Sequence, residues 1–380
     1  MKERSLFPLA DSMLLTFFSA IFSSMFTALL LVHYIRVHQR LTGDNPLSGP
    51  QKFHIGLTPR IGGVPILFGL FIGGIIAIVR GLLPLHGAAN LLFSVAPIFL
   101  LGIAEDISKR VSPFWRLLAS FLSAGLASWL LGATLPRVGV PGLDTLFAQY
   151  SVVALAFTVI AVGGMCHAMN IIDGYNGLAS GVTAMVLLAL GYVAFKVGDL
   201  SLVMLCLASA GAVIGFMVWN YPRGLIFAGD GGAYLMGFLI AELSVLLVVR
   251  NPAVSPWFPF TLVVYPVWET FFTMYRRRVV RGQAAGLPDA LHLHQMVFSR
   301  LVRWMVGRRE ARHLLRRNSM TTPYLWGMGL LTVVPAVLAW NMPAVLQVCC
   351  LAFVLFYVWI YGRLVHFRAP RWLVLHKDCK

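Results

Sequence analysis

Residues 200–218 read LSLVMLCLASAGAVIGFMV, residues 219–232 read WNYPRGLIFAGDGG, and the chain then runs GAYLMGFLIAELSVLLVVR from Gly232 to Arg250. A membrane-spanning helix needs roughly 20 predominantly apolar residues. Both outer stretches meet that length. The connection between them carries Pro222, Arg223 and Asp230 among glycines. In lipid only helices and closed barrels satisfy the backbone, and these runs are continuously apolar rather than alternating. The pattern predicts two spanning helices joined by a polar loop.

The same pattern recurs along the chain. Apolar spans fall near 12–34, 62–79, 91–104, 114–133, 151–169, 178–195, 200–218, 232–250, 257–275, 321–340 and 343–361, about eleven in all. The third is short and is expected to start before Asn90 or run past Ala104. Of 380 residues, 59% are hydrophobic and 12% charged, with mean hydropathy +0.80. A soluble domain carries about 25% charged residues. The expected fold is an all-α polytopic membrane protein, a single integral membrane domain over 1–380 with a basic loop at 276–320 and a tail at 362–380. The first span is too long for the apolar region of a secretion signal, and no small-residue cleavage site follows it. The cysteines (Cys166, Cys206, Cys349, Cys350 and Cys379) are odd in number and lack zinc-ligand spacing, so they read as packing residues.

Charge sets an expected orientation. Lys and Arg favour the cytoplasmic side. With a periplasmic N-terminus and eleven alternating spans, 24 of the 30 basic residues face the cytoplasm, as does the C-terminal tail. The other six are Lys2, Arg4, Arg80, Arg137, Lys196 and Arg250. The net charge of +16 is then a topology signal. It sits in short juxtamembrane loops, which argues against nucleic acid as a partner, and it attracts anionic membrane lipids and phosphorylated substrates.

Unusual polar segments cluster on that same expected face. The stretch from Lys52 through His54 and Arg60 leads into Gly62 and Gly63, where backbone can approach a ligand closely. It also reads as a loop with inside-positive charge. Glu105-Asp106 closes the third span ahead of Lys109-Arg110. Paired acids beside a bilayer need a cation or a metal, so either a salt-bridged turn or a Mg²⁺ site fits them. Asn170, Asp173 and Asn176 lie in a connection without Lys or Arg; Asp173 and Asn176 can share a helical face, and Asp-Gly and Asn-Gly are also ordinary turn pairs. Asn220, Phe227 and Asp230 lie in the quoted loop, with Asp230 flanked by glycines at a helix start. There it is an anion-site element or an N-cap. His292 and His294 stand within the 276–320 loop, which carries eleven arginines. At i and i+2 they point the same way in an extended segment.

Asp106, Asp173 and Asp230 come from three separated loops and fall on one face, beside cationic side chains suited to phosphate. That describes a Mg²⁺-dependent phosphoryl-transfer site.

With these motifs in this order, the stretch from Lys52 to His294 resembles the polyprenyl-phosphate N-acetylhexosaminyl-1-phosphate transferases, the glycosyltransferase 4 family. That family includes MraY-type lipid I synthases and WecA-type enzymes that initiate O-antigen and teichoic-acid linkage units. The resemblance implies Mg²⁺ (or Mn²⁺) as cofactor, with undecaprenyl phosphate and a UDP-N-acetylhexosamine, such as UDP-N-acetylglucosamine, as substrates. It implies a location in the bacterial inner membrane with a cytoplasmic active site, and is compatible with a homodimer. It puts Glu105 and Asp106 near the metal and the lipid phosphate, and Asn170, Asp173 and Asn176 near the nucleotide. It makes Asp230 a metal ligand together with Asp106, has Asn220 and Phe227 hold the uridine, and sets His292 and His294 against the diphosphate. Lys52, His54 and Arg60 are expected to steady phosphates. Three positions depart from the family pattern: Glu105 for Asp, Asn176 for the frequent Asp, and Gln295 for a third His. The His-Leu-His spacing and the basic tail favour an initiating transferase, as in lipopolysaccharide synthesis, over lipid I synthase.

A transporter of a phosphorylated metabolite is the competing class. Transporters place their sites near the bilayer midplane, and Glu242 is the clearly mid-span acid here; Glu269 lies nearer the cytoplasmic end of its span and is expected to pair with Arg276.

Overall fold

The computed structural model describes residues 6–35, 43–44, 58–280, 282, 291–302 and 311–366. Helices occupy each expected span: α1 (Leu6–His33), α2 (Gly63–Val79), α3 (Leu85–Ser108), α4 (Pro113–Leu131), α6 (Ser151–Ile172), α7 (Leu178–Lys196), α8 (Leu200–Asn220), α9 (Gly229–Arg250), α10 (Trp257–Tyr275), α12 (Ala311–Leu338) and α13 (Pro343–Val365). Two short helices add to these, α5 (Pro141–Gln149) and α11 (Leu293–Met296), the latter continued by a π-helical turn, Val297–Val302. A two-residue bridge pairs β1 (Gly43–Asp44) with β2 (Thr58–Pro59).

Local chemistry sets the boundaries. Proline, with its missing N–H, opens α4, α5 and α13. Gly132, at φ +67°, ends α4. The Asp199 carboxylate accepts the Leu202 N–H and caps α8. The third span runs well past both expected ends, because its last turn absorbs Glu105 and Asp106.

Among the described residues, nine helices are long and apolar enough to cross a membrane. α2 is apolar but has 17 residues. α10 lies outside the nine, its apolar character diluted by Pro259, Pro266, Glu269 and three threonines. The outer faces are themselves apolar: Phe22, Phe26, Phe93, Leu100, Trp129 and Leu338 are all exposed. A bundle with an apolar exterior as well as an apolar core is a polytopic membrane protein.

α9 is the central helix, buried along nearly its whole length. It packs against α3, α6 and α7, while α1, α2 and α8 form a second tight group. Without a hydrophobic drive between helices in lipid, close packing needs small residues. A Cβ at Gly211 or Gly215 of α8 would collide with the backbone of α1. Ser24 of α1 donates to the Ala212 carbonyl at 2.7 Å.

Candidate active site

The N-termini of α2, α4 and α9 and the C-termini of α3 and α6 meet at one end of the bundle, and glycines let them meet. A Cβ at Gly102 of α3 would stand 2.6 Å from the Gly231 Cα, and one at Gly63 would stand 2.7 Å from the Gly232 nitrogen. The Gly62 and Gly63 amides donate to the carbonyls of Phe227 and Ala228 at 2.9 and 3.1 Å. The glycines read as room for a ligand are thus spent on backbone-to-backbone contact between α2 and the start of α9.

This packing presses Asp106 onto the first turn of α9. Its Oδ1 accepts the Asp230 N–H at 2.8 Å and its Oδ2 the Gly231 N–H at 2.9 Å. A carboxylate at a helix N-terminus meets free donors and a favourable dipole. Gly229, at φ +70°, makes the fit possible; a Cβ there would collide with the Arg60 carbonyl and stand 2.5 Å from Asp106 Oδ2. Asp230 therefore heads the helix, and the acid serving its N-terminal amides comes from α3.

Asp230 is surrounded by donors. Arg116 Nη1 lies 2.5 Å from its Oδ2, Asn170 Nδ2 is 3.2 Å from Oδ1, and Arg60 Nη2 is 3.6 Å from Oδ1. Arg60 also reaches to 4.0 Å from Asp106. Asp173 follows the last residue of α6, half-buried, and its charge is felt by both Arg60 and Asp230. Burial, reinforced by the like charge of Asp230 and opposed by Arg60, pushes its carboxyl up to about 7. Asp106, Asp230 and Arg60 thus stand together, with Asp173 within electrostatic reach of Arg60 and Asp230.

The histidine segment closes one side. His294 is buried, and its Nε2 would lie 3.2 Å from a Cβ on Gly174, next to Asp173. Its ring meets Tyr175 edge-on at 5.4 Å and stacks on His292 at 5.1 Å. Burial, helped by the neighbouring His292, pushes the His294 imidazole down to about 3, so this ring is neutral at physiological pH. Gln295 accepts the His292 N–H at 3.0 Å, which gives the departure from a third histidine a structural job.

Other expected residues turn elsewhere. Glu105 accepts the Val111 N–H at 2.7 Å and ties the end of α3 to the start of α4. Asn220 bridges the Gly177 N–H and the Ile226 carbonyl at 2.6 and 2.8 Å. Asn176 donates to the Pro222 carbonyl at 3.0 Å, while its backbone bonds Asn318 and Thr322 of α12. These two asparagines weld the polar loops to each other. Phe227 is half-buried, its amide donating to the Pro59 carbonyl at 2.9 Å. Lys52 and His54 lie outside the described residues. Arg276 bonds the Leu291 carbonyl and Tyr361, and Glu269 pairs with His292 instead.

Sequence reasoning passed over Arg116, read as a topology charge, and His167 of α6, whose ring faces Tyr234 at 5.1 Å and which feels Arg116 and Asp230. An arginine three residues after a helix-opening proline, on the same face as the acids, was the available signal for the first.

The donors are hard carboxylate oxygens, right in kind for a divalent cation such as Mg²⁺. Among the described residues no three acids, histidines or cysteines are disposed as a metal cluster, and the guanidinium groups of Arg60 and Arg116 supply the positive charge. The Asp173 carboxyl, with no side-chain hydrogen bond or ion pair among the described residues and a raised pKa, is the carboxylate an added cation would hold ionised.

The family described as Glycosyl transferase family 4 matches residues 88–248, which hold Asp106, Arg116, Asn170, Asp173 and Asp230. Over those residues the chain is similar to glycosyl transferase family 4. The chain is 28% identical to the undecaprenyl-phosphate alpha-N-acetylglucosaminyl 1-phosphate transferase of Thermotoga maritima, over 69% of the chain and 74% of the relative. It is 25% identical to a probable undecaprenyl-phosphate N-acetylglucosaminyl 1-phosphate transferase of Bacillus subtilis, over 76% and 79%. It is 26% identical to the phospho-N-acetylmuramoyl-pentapeptide-transferase of Streptococcus thermophilus, over 74% and 87%.

Proposed function

We propose that this chain transfers N-acetylhexosamine 1-phosphate from a UDP-sugar to undecaprenyl phosphate and releases UMP. The observation that carries the proposal is the meeting of Asp106 and Asp230 with Arg60 and Arg116 at one end of a membrane bundle, with Asp173 within electrostatic reach of Arg60 and Asp230. The names of the relatives support the same chemistry. The charge distribution supports a cytoplasmic site at the bacterial inner membrane, where a lipid acceptor arrives through the bilayer and a nucleotide through water.

An oxygen of the acceptor phosphate attacks the β-phosphorus of the UDP-sugar. The new O–P bond forms as the bond between the two phosphorus centres' bridging oxygen and the β-phosphorus breaks, and UMP leaves. The acceptor is already largely ionised, with a second pKa about 6 by analogy with phosphorylated side chains. The protein's task is therefore orientation and charge neutralisation rather than proton removal. Arg60 and Arg116 neutralise phosphate oxygens, Asn170 and Asp106 hold Asp230 in place, and His292 and His294 wall the site beside Asp173. Asp230 with Asp173 or Asp106 would hold Mg²⁺ or Mn²⁺, which supplies further charge neutralisation at the diphosphate when bound.

Leu293 between the two histidines favours an initiating N-acetylhexosamine transferase over lipid I synthase. The test offers purified protein a panel of UDP-N-acetylhexosamines and UDP-N-acetylmuramoyl-pentapeptide, with undecaprenyl phosphate and Mg²⁺. UMP and a lipid product of matching mass are expected from one UDP-N-acetylhexosamine. Release of no UMP across the panel would contradict the proposal, and a product from the pentapeptide substrate alone would replace it with lipid I synthesis.

A further inference from the structure

We propose that Glu269 is the positioning residue that fixes the ring of His292, and through it the histidine segment, beside the acid cluster; its catalytic consequence rests on the transferase reading above.

Glu269 lies in α10 with its side chain fully buried. A buried carboxylate is costly unless donors meet it. Here every polar neighbour is a donor or can be one. His292 Nδ1 lies 3.1 Å from Oε1, the Leu293 N–H 3.2 Å and the Thr273 hydroxyl 3.5 Å, while the Tyr357 hydroxyl of α13 donates to Oε2 at 2.7 Å. Glu242 in α9 shows the contrast: as deeply buried, with no hydrogen-bond partner on either oxygen among the described residues.

An ionised carboxylate accepts only, so the proton of a neutral His292 sits on Nδ1 and Nε2 keeps its lone pair. The assignment follows from the bonding partners. The same carboxylate oxygen takes the His292 ring and the next backbone amide, so it sets both the rotation of the ring and the place where α11 begins. Gln295 and the Leu291 carbonyl, the latter held by Arg276 and Tyr361, secure the segment on either side. The interplanar angle between the two imidazoles is 8°, and His294 lies against Gly174 beside Asp173. One carboxylate outside the acid cluster thus decides which nitrogen of His292 is offered and where both rings stand.

The test combines kinetics with ¹⁵N-histidine NMR on the full-length protein in detergent. The kinetic arm compares wild type, Glu269→Gln, His292→Gln and the double variant, using undecaprenyl phosphate, UDP-N-acetylglucosamine and Mg²⁺, with kcat expressed per folded enzyme. Glu269→Gln keeps the shape and removes the charge. Outer partners of this kind typically contribute about 10–100-fold, so kcat is expected to fall by that much. KM for the sugar nucleotide and the double variant's kcat relative to His292→Gln alone should each stay within about twofold. A Glu269→Gln kcat within about twofold of wild type, or losses that multiply in the double variant, would overturn the proposal. The NMR arm uses wild-type protein, with His292 assigned by loss of its signals in His292→Gln. A proton on Nδ1 is expected; one on Nε2 overturns the proposal even if Glu269→Gln fails to fold. Should wild type release no UMP from any UDP-sugar, the transferase reading falls, while the ring nitrogens still decide the pairing.

Discussion

The Asp106 carboxylate accepts the backbone N–H groups of Asp230 and Gly231, at 2.8 and 2.9 Å, across 124 positions of sequence. This pairing anchors the first turn of α9 and so aims the Asp230 side chain at Arg116, Arg60 and Asn170. In Asp106→Asn one backbone donor faces an amide NH₂ instead of an oxygen. A buried unsatisfied donor costs about 1–3 kcal/mol. UMP release is expected to fall by ~10²-fold or more, as when a preorganised polar contact in an active site is removed. Thermal unfolding and UMP assays check both, and unchanged turnover would separate Asp106 from the site.

Arg116 is the residue that sequence reading undervalued. Its bond to Asp230 is short and mostly buried, with side chains 20% and 10% exposed. Arg116→Met is expected to destabilise by about 1.5–3 kcal/mol, the range for hydrogen bonds to charged groups, and to lower kcat. Arg116→Lys keeps the charge but not the fork, so it should recover stability better than activity. Equal recovery of both by lysine would reduce Arg116 to a structural ion pair.

Gly229→Ala is expected to leave little folded protein, because φ +70° and two collisions act together; the cost is at least about 3 kcal/mol. Gly164→Ala in α6 meets nothing within 4 Å and should leave the melting temperature unchanged or raised. Similar melting of the two variants would contradict the close approach of the start of α9 to α3 and to the Arg60 backbone.

Asp173 and His294 give opposite pH slopes. Asp173 is raised from 3.8 to about 7, so its stabilising contribution is complete below pH 3.8 and is lost as pH rises through about 7. His294 is lowered from 6.5 to about 3, so its contribution is present above pH 6.5 and is lost as pH falls toward about 3. Between about pH 4 and 6.5 the two offset each other, each by at most about 1.4 kcal/mol per pH unit. Relative to wild type, His294→Gln should then lose stability as pH rises across that window, and Asp173→Asn should gain it. Melting temperatures at several pH values check the signs.

The spans were legible because lipid demands long apolar helices, and the runs from Leu200 and Gly232 satisfy that without tertiary help. α5 was not: nine residues at the edge of the apolar layer carry too little periodicity to separate Pro141–Gln149 from a loop. The polar turn at Glu105-Asp106 looked like a loop, yet tertiary contacts from α9 keep it helical. Asp106, Asp173, Asp230 and Arg60 were legible as acids and a cation out of place at a membrane face. The division of labour was not. Asn176 and Asn220 share the signature of ligand-binding loops, and only three-dimensional pairing reveals them as ties between segments. Glu269 sat in an apolar run 23 residues before His292, and no local pattern joins the two.

The most direct measurement is UMP release by purified Asp230→Asn beside wild type, with undecaprenyl phosphate, the accepted UDP-sugar and Mg²⁺, on protein shown to be folded by its melting transition. Wild type is expected to release UMP and the folded variant essentially none. Turnover by Asp230→Asn at the wild-type rate would contradict that expectation, leaving a helical membrane protein whose converging aspartates serve only structure.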